Sequence, residues 1–504
     1  MRVKSTLACL LILCTVAPPS GLTQEPSEER RPEQPATGIL SHLPPDSVTE
    51  HMLQTRNGPL RYQATAGTMD LIGQNGERNA KIFYTAYVMK DRQADRPVTF
   101  AFNGGPGAAS AYLHLGLVGP LVLPFKDENA DGTQPRLKNN PDSWLSFTDL
   151  VLIDPIGTGW SRAVSNDAAE RYFNVRQDAE SIAKTIALYV HKNNLLTAPK
   201  YLLGESYGGY RAAKVAVAMK NSQNIIPAGI VMISPLIEGR FLFGLDQDPL
   251  ASSLQLPSLA AAELERQGRF TPEALDPIEH FAMNDYLTTL AGPVLTDPEA
   301  SAFYGRVAAM TGLPLATVEK TRGFVGDVYA KEAGGTGRVV SPYDAGSSTA
   351  DPYPESAVSR NDDPVLDGYT RAYGSAFASY ARDTLGFDTP ITYTLLNEEV
   401  NRRWEWNGGH GGDTRATASA SNDLRDLLSV IPSFQLMVAH GYSDILTPYG
   451  MSQYVLNHLP PQLAEGRTSL NVYRGGHMFY TRDEERHRIF EDARAFYERD
   501  DARD

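Results

Sequence analysis

The chain has 504 residues, of which 42% are hydrophobic and 21% charged, and its formal net charge is −14. This length allows two domains or one large domain with an insertion, and the composition is that of a globular protein. The acidic balance argues against nucleic acid and anionic membranes as partners.

Residues 1–23 have the pattern of a signal peptide. Arg2 and Lys4 give a basic start, and the apolar run that follows them is too short to span a bilayer. Both cysteines of the sequence, Cys9 and Cys14, lie in this segment, so we expect a mature chain without disulfides. The sequence therefore predicts a secreted or periplasmic protein without stable membrane insertion.

The next segment, residues 24–59, is rich in Pro and Glu and has no sustained apolar periodicity, which predicts a flexible leader. From residue 60 the pattern changes to short apolar or alternating runs. These runs predict strands at residues 62–72, 80–89, 97–102, 121–125 and 150–153. Residues 127–132 have oxygens spaced as in the first half of a calcium loop, but Lys138 stands where the last ligand is usually Glu, so we predict a hairpin turn.

Helices and strands alternate in the following part of the chain. Residues 174–190 have one apolar face, and Asn174 is placed to cap the predicted helix. A strand leads to Ser206, a helix follows it, and another strand is predicted at residues 230–233. This alternation is typical of a parallel sheet that is covered by helices.

The alternation stops after residue 239 and resumes near residue 423. The intervening residues 240–422 contain helical pieces and turns rich in Gly, Ser and Asp, which predict a largely helical inserted cap. Strands at residues 434–439 and 469–473 and a helix at residues 483–497 follow. We therefore predict an α/β catalytic domain formed by residues 60–239 and 423–504, with a mostly parallel central sheet flanked by helices.

A Gly-x-Ser-x-Gly motif at residues 204–208 follows an apolar run and precedes a helical segment. In this setting the serine stands exposed on a sharp turn between strand and helix. Gly204 and Gly208 fit such a turn because a side chain at either position would clash where strand and helix nearly touch. The motif predicts Ser206 as a nucleophile.

A nucleophilic serine needs a base and a group that orients the base. Asp444 and His477 follow Ser206 in the order Ser, Asp, His, and each comes just after an apolar strand. Three other histidines fit this role less well: His410, His440 and His487. The histidines are scattered and no His-x-x-x-His spacing occurs, so we expect neither a metal nor a cofactor.

The reaction also needs backbone N–H groups that stabilise an oxyanion. One donor is expected from Tyr207, the residue after the nucleophile. The second is expected from the glycine-rich loop at residues 103–107, which follows the strand at residues 97–102. This loop has no Gly-Lys-Ser/Thr after it, so it does not fit a phosphate loop.

Five motifs in this order resemble the signatures of the serine carboxypeptidase family of the α/β-hydrolase superfamily, in a secreted, bacterial-type form. They lie at residues 103–107, 140–144, 154–159, 204–209 and 475–478. The resemblance implies an α/β-hydrolase fold and the removal of C-terminal residues from peptides with a free C-terminus. It implies a triad of Ser206, Asp444 and His477, an oxyanion hole of Gly105 and Tyr207, and binding of the substrate carboxylate by Asn103, Gly104 and Glu205.

The sequence departs from the family at Leu117, where members commonly have a second acid. A substrate carboxylate facing Glu205 is tolerated only if one of the two carries a proton, because two close like charges do not both ionise cheaply. We therefore expect better peptide hydrolysis at acidic than at alkaline pH. An esterase or acyltransferase with the same triad, and a non-catalytic binding protein on a hydrolase fold, are the alternative hypotheses.

Overall fold

The computed structural model describes residues 38–124, 132–357, 363–406 and 415–501. The predicted signal peptide and the first part of the predicted leader lie outside these ranges, as do His410 and nearly all of the calcium-like stretch. Within these ranges, no helix has both the length and the apolar character needed to cross a membrane.

A large sheet forms the centre of the fold. The strands of the described chain are β1 (Ser47–Thr55), β2 (Gly58–Ile72), β3 (Arg78–Met89), β4 (Val98–Phe102), β5 (Leu121–Val122), β6 (Lys138–Asn139), β7 (Asp149–Ile153), β8 (Arg162–Ala163), β9 (Lys200–Glu205), β10 (Gly229–Ile233), β11 (Arg338–Val340), β12 (Ser348–Ala350), β13 (Gln435–Gly441) and β14 (Thr468–Tyr473). Ten of them form one sheet in the order β1-β2-β3-β7-β4-β9-β10-β13-β14, with β8 paired to β3.

The strands from β7 to β14 in this order run parallel to one another, whereas β1, β2 and β3 are antiparallel. Every residue of β4, β7, β9, β10 and β13 is buried. Such strands are continuous apolar runs because helices cover both faces of the sheet. The predicted α/β-hydrolase fold, with a mainly parallel sheet flanked by helices, is confirmed.

The sheet begins earlier than the sequence predicts. The leader boundary at residue 59 is wrong, because β1 pairs with β2 from Ser47 opposite Ala66 to Thr55 opposite Gly58. This edge strand has one buried residue, Leu53, so it carries almost no apolar periodicity. Its position is fixed by backbone hydrogen bonds, which the composition of the segment does not reveal.

Helices surround the sheet and fill most of the insertion. They are α1 (Ala111–Leu113), α2 (Asn166–Glu170), α3 (Val175–Lys192), α4 (Tyr207–Gln223), α5 (Arg240–Phe243), α6 (Pro249–Arg266), α7 (Asp276–Phe281), α8 (Leu287–Ala291), α9 (Glu299–Thr311), α10 (Leu315–Lys320), α11 (Gly326–Glu332), α12 (Asp367–Thr370), α13 (Ala372–Asp383), α14 (Glu398–Arg402), α15 (Ser421–Val430), α16 (Tyr449–Asn457), α17 (Pro461–Ala464) and α18 (Asp483–Asp501). Short 3-10 or π turns lie at Gly38–His42, His114–Val118, Trp144–Ser146, Pro272–Ala274, Ala282–Tyr286, Arg415–Thr417 and Phe479–Thr481.

The chain leaves the sheet after β10 and returns at β13, although these two strands are direct parallel neighbours. The inserted helices α6, α9 and α11 have a hydrophobic core of their own, and Ile445, from the loop after β13, also packs into it. Contacts join insertion and sheet into one unit, so the boundaries at residues 239 and 423 stay a prediction.

Candidate active site

Ser206 stands on the turn between β9 and α4, with φ 61° and ψ −126°. Residues other than glycine rarely adopt this conformation, and where they do it usually marks a functional turn. A Cβ on Gly204 would lie 1.9 Å from the carbonyl oxygen of Gly208, and a Cβ on Gly208 would lie 2.7 Å from that of Phe102. Strand and helix are therefore so close at this turn that only glycine fits on either side of the serine.

His477 and Asp444 meet on the loops after β14 and β13. The distance from His477 Nδ1 to Asp444 Oδ2 is 2.8 Å, and both side chains are buried. Because Nδ1 is engaged by the carboxylate, Nε2 is the nitrogen of His477 that can accept a proton. The pair has the geometry of a general base and the acid that orients it.

Thr447, which the sequence analysis missed, completes the surroundings of Asp444. Its hydroxyl donates to Asp444 Oδ2 at 2.8 Å and lies 3.1 Å from His477 Nδ1. The N–H groups of Leu446 and Thr447 both donate to the other oxygen, Oδ1, at 2.9 Å. These bonds fix the carboxylate, and an Asx-type turn two and three residues after Asp444 is the signal that could have indicated it.

Burial and the charge of Asp444 shift the pKa of His477 in opposite directions. Burial alone lowers the pKa of the imidazole, but the charge of Asp444 and its hydrogen bond outweigh burial, so the pKa of His477 is raised. The raised pKa means that the imidazolium is stabilised after it takes a proton, as a general base requires.

A cavity of about 950 Å³ lies over the turn that carries Ser206. Its lining includes every residue predicted for the site except Asp444, namely Asn103, Gly104, Gly105, Glu205, Ser206, Tyr207 and His477. Asp444 is fully buried behind His477. The structure thus brings the predicted residues together at one cavity, with the acid kept away from solvent.

The glycine-rich loop runs against the first turn of α4. A Cβ on Gly104 would lie 2.6 Å from the backbone nitrogen of Tyr207. The N–H of Tyr207 is in the first turn of the helix, where N–H groups have no helical acceptor. Gly105 has φ +98°, a conformation that favours glycine. Gly105 and Tyr207, the two residues proposed for the oxyanion hole, both line the cavity with Ser206.

Glu205, next to the nucleophile, is buried and has two side-chain donors. The Asn103 amide donates to Oε2, and the Tyr480 hydroxyl donates to Oε1 at 2.6 Å. The carbonyl oxygen of the Asn103 amide accepts from the N–H of Leu113 at 3.1 Å, which fixes its orientation. Burial raises the pKa of Glu205, and His477 and the two hydrogen bonds oppose this shift only in part.

Tyr480 is a second residue that the sequence analysis missed. The ring of Tyr480 lies over the turn that contains Leu117, because a Cβ on Gly116 would be 2.7 Å from its Cε2 atom. A phenol thus partners Glu205 beside the position where a second acid is expected. No periodicity or spacing signals this contact, since the two residues are 275 positions apart.

A buried ion pair contacts the backbone at the start of the glycine-rich loop. The Arg211 guanidinium on α4 donates to Asp178 on α3 at 2.6 Å and also to the carbonyl oxygen of Asn103. Both charged side chains are almost inaccessible to solvent. The pair therefore fixes the backbone of Asn103 through charges that are costly to separate.

Known proteins that are similar to this chain include serine carboxypeptidases. A family model described as serine carboxypeptidase matches residues 58–234. Over these residues, the chain is similar to the serine carboxypeptidase family. Serine carboxypeptidase-like 15 of Arabidopsis thaliana is 26% identical over 193 residues, which cover 37% of this chain and 42% of that protein. The pheromone-processing carboxypeptidase KEX1 of Cryptococcus gattii is 28% identical over 215 residues, covering 40% of this chain and 31% of that protein.

The chain spans less than half of the length of these curated relatives. The family match includes Asn103, Glu205 and Ser206 but ends before Asp444 and His477. Among solved structures, the peroxisomal α/β-hydrolase Lpx1 of Saccharomyces cerevisiae has 13% identity and a TM-score of 0.38, with coverage of 90% of this chain and 89% of that chain. Brefeldin A esterase has 13% identity and a TM-score of 0.36, with coverage of 87% and 78%.

Proposed function

We propose that this chain is an exported serine carboxypeptidase that removes single residues from peptides with a free C-terminus. The observation that carries the proposal is the shared cavity, in which Ser206 and His477 lie beside the buried pair of Asn103 and Glu205. The first pair can cleave an acyl bond. The second pair can distinguish a terminal carboxylate from an internal peptide bond.

In this mechanism His477 Nε2 takes the proton of Ser206 as Oγ attacks the last peptide carbonyl. Asp444 keeps Nδ1 protonated and stabilises the imidazolium. The N–H groups of Gly105 and Tyr207 stabilise the oxyanion. His477 then gives the proton to the leaving nitrogen, and water activated by the same imidazole hydrolyses the acyl-enzyme.

The substrate carboxylate is proposed to bind Asn103, Gly104 and Glu205. The raised pKa of Glu205 supports this role, because a protonated carboxyl can donate a hydrogen bond to the anion of the peptide. Above the pKa of Glu205 two like charges would face each other. Binding of free-acid peptides should therefore be strongest below this pKa and weaken as the pH rises through it.

The proposal is tested with a peptide library in free-acid and C-terminally amidated form, analysed by mass spectrometry for wild type and Ser206→Ala. We expect stepwise loss of single residues from the free acids, little loss from the amides, and none with Ser206→Ala. Equal activity on the free-acid and the amidated peptides would favour an esterase or acyltransferase, and internal cleavage would contradict the proposal. Failure of Ser206 to react with a fluorophosphonate would indicate a non-catalytic binding protein.

A further inference from the structure

A short segment of the insertion contacts both loops that carry Asp444 and His477. We call this segment, residues 341–345, the strap; it follows β11. The N–H of His477 donates to the carbonyl oxygen of Tyr343 at 2.5 Å, and the N–H of Ala345 donates to the carbonyl oxygen of Ser443 at 3.0 Å. The strap therefore makes backbone hydrogen bonds to His477 itself and to the residue before Asp444.

Side chains of the strap reinforce these bonds. Ser443 Oγ donates to Asp344 Oδ1 at 2.6 Å, and the Tyr343 ring stands edge-on to the His477 imidazole with 5.4 Å between centroids. A Cβ on Gly476 would lie 1.9 Å from the carbonyl oxygen of Tyr343 and 2.4 Å from the Cα of Asp344. The backbone before His477 thus packs directly on the strap.

Asp344 belongs to a network of four charges around this contact. Arg482 lies 3.3 Å from Asp344 and 2.9 Å from Glu265 on α6, and Arg474 lies 2.9 Å from Glu265. Arg474 and Arg482 flank His477 in sequence, whereas Glu265 and Asp344 belong to the insertion. The network therefore joins the two sides of the His477 loop to the insertion.

The start of the strap is also fixed. Ser341 Oγ donates to Asp363 Oδ2 at 2.5 Å and accepts from the N–H groups of Tyr343 at 3.1 Å and Asp344 at 3.0 Å. Ser341 and Asp363 are both buried. Because hydrogen bonds fix the strap at both ends, it can support the loops that carry Asp444 and His477.

We propose that the strap positions the catalytic base, and that Asp344 is the positioning residue that links it to the Asp444 and His477 loops. This inference rests on the proposed function, because it assigns the insertion a part in the chemistry of Ser206. A general base must hold its geometry closely, and a displacement on the scale of 1 Å can cost about a hundredfold in rate. Loss of the strap contacts should therefore lower kcat and leave substrate binding intact.

The experiment compares Asp344→Ala, Asp344→Asn and a matched control, Asp351→Ala. Asp351 is also in the insertion and also ion-paired, to Lys331 at 2.5 Å, but it is no part of the network around the His477 loop. For each variant kcat and KM, the rate at which a fluorophosphonate labels Ser206, and the midpoint of thermal unfolding are measured.

Asp344→Ala is expected to lower kcat and the labelling rate by about tenfold with little change in KM. Asp344→Asn keeps an acceptor for Ser443 and should recover part of the loss. Asp351→Ala should lower only the midpoint of thermal unfolding and leave kcat, KM and the labelling rate unchanged. A double-mutant cycle with Ser443→Ala should be non-additive, because Asp344 and Ser443 share a hydrogen bond.

Two outcomes would overturn the inference while leaving the proposed function in place. One is an Asp344→Ala variant that loses thermal stability but keeps wild-type kcat and labelling. The other is an Asp344→Ala variant that changes KM alone. If Ser206 of the wild type is not labelled at all, the proposed function fails and the inference fails with it.

Discussion

The environment of Glu205 sets its pKa, and this pKa determines at which pH a substrate with a free carboxylate can bind in the cavity. The carboxyl is buried, and each of its oxygens has one donor, from Asn103 or from Tyr480. Burial favours the neutral form, whereas the two hydrogen bonds favour the ionised form. The pKa of Glu205 is raised because burial is the larger effect, and Tyr480 limits how far it rises.

Tyr480→Phe should therefore raise the pKa of Glu205 further. A hydrogen bond to a charged group contributes about 1.5–3 kcal/mol, which corresponds to a shift of about one to two pKa units. Glu205 would stay protonated to higher pH, so the rise in KM for free-acid peptides should move upward by a similar amount. The measurement is KM from about pH 5 to about pH 9.

Tyr373→Phe is the matched control for this prediction. Tyr373 is also fully buried, but its hydroxyl has no hydrogen-bond partner among the described residues. Its replacement should leave the KM curve in place. If Tyr480→Phe and Tyr373→Phe give the same curve as wild type, Tyr480 does not tune Glu205.

At the scale of elements, the turn from β9 to α4 is a unit whose geometry depends on backbone contact. A Cβ on Gly208 would be 2.7 Å from a backbone oxygen of β4, and a Cβ on Gly204 would be closer still to its neighbour. Neither backbone can move without displacing Ser206 or the N–H of Tyr207. Stability and reactivity are therefore coupled at this turn.

Gly208→Ala should destabilise the protein by about 1–3 kcal/mol, the usual cost of overpacking, and Gly204→Ala should cost more. Both should also slow fluorophosphonate labelling. Gly305→Ala on α9 is the control, since a Cβ there meets nothing within 4 Å and should stabilise the helix by about 0.5–1 kcal/mol. Urea unfolding and labelling rates check all three, and wild-type labelling by Gly204→Ala would contradict the prediction.

Where an element is determined by residues close together in the chain, its observed bounds agree closely with those predicted from the sequence. The helix predicted at residues 174–190 is Val175–Lys192, and Asn174 caps it through the N–H of Gln177 at 2.9 Å. The side chain of Gln177 does not return to the backbone of Asn174 but donates to Glu180 at 3.2 Å. The Gly-x-Ser-x-Gly turn was predictable for the same reason, since strand, serine and helix are contiguous.

Contacts between distant segments could not be predicted from one sequence. β1 has too few buried residues to show a pattern. Tyr480 contacts Glu205 although the whole insertion lies between them in the sequence. The contact between Asp344 and Ser443 likewise joins residues 99 positions apart. Hydrophobic periodicity reports which face of an element is buried, but it does not report which element lies against that face.

At the scale of the whole molecule, two buried histidines and one buried acid have large pKa shifts, and these shifts make the free energy of unfolding depend on pH. Burial lowers the pKa of His114 to about 3 and that of His440 to about 4. Burial raises the pKa of Asp154 to about 6. The histidines stabilise the fold above their unfolded pKa of about 6.5, and this contribution is lost as the pH falls. Asp154 acts in the opposite direction, since its contribution is present in acid and lost as the pH rises through about 6.

Between about pH 7 and about pH 5, the stability lost through His114 and His440 should exceed the stability gained through Asp154. Each histidine loses on the order of 2 kcal/mol over this range, whereas Asp154 regains on the order of 1 kcal/mol. The combined contribution of these three groups to the free energy of unfolding should therefore fall by a few kcal/mol, in the same pH range in which free-acid peptides are expected to bind best. Glu205 and His477, whose pKa values are raised, act in the same direction as Asp154 and offset part of this loss. Acidic conditions should thus strengthen the binding of free-acid peptides while these buried groups lower the stability of the fold.

His114→Gln tests this balance. His114 Nε2 lies 2.7 Å from the Tyr87 hydroxyl, and glutamine can keep that hydrogen bond without becoming charged. The gap in unfolding free energy between wild type and variant should narrow by on the order of 2 kcal/mol from about pH 7 to about pH 5, measured by urea unfolding. The exposed His458→Gln serves as the control and should show a constant gap. If the His114→Gln gap is equally constant, burial of His114 does not govern acid stability, and the loss must come from other groups.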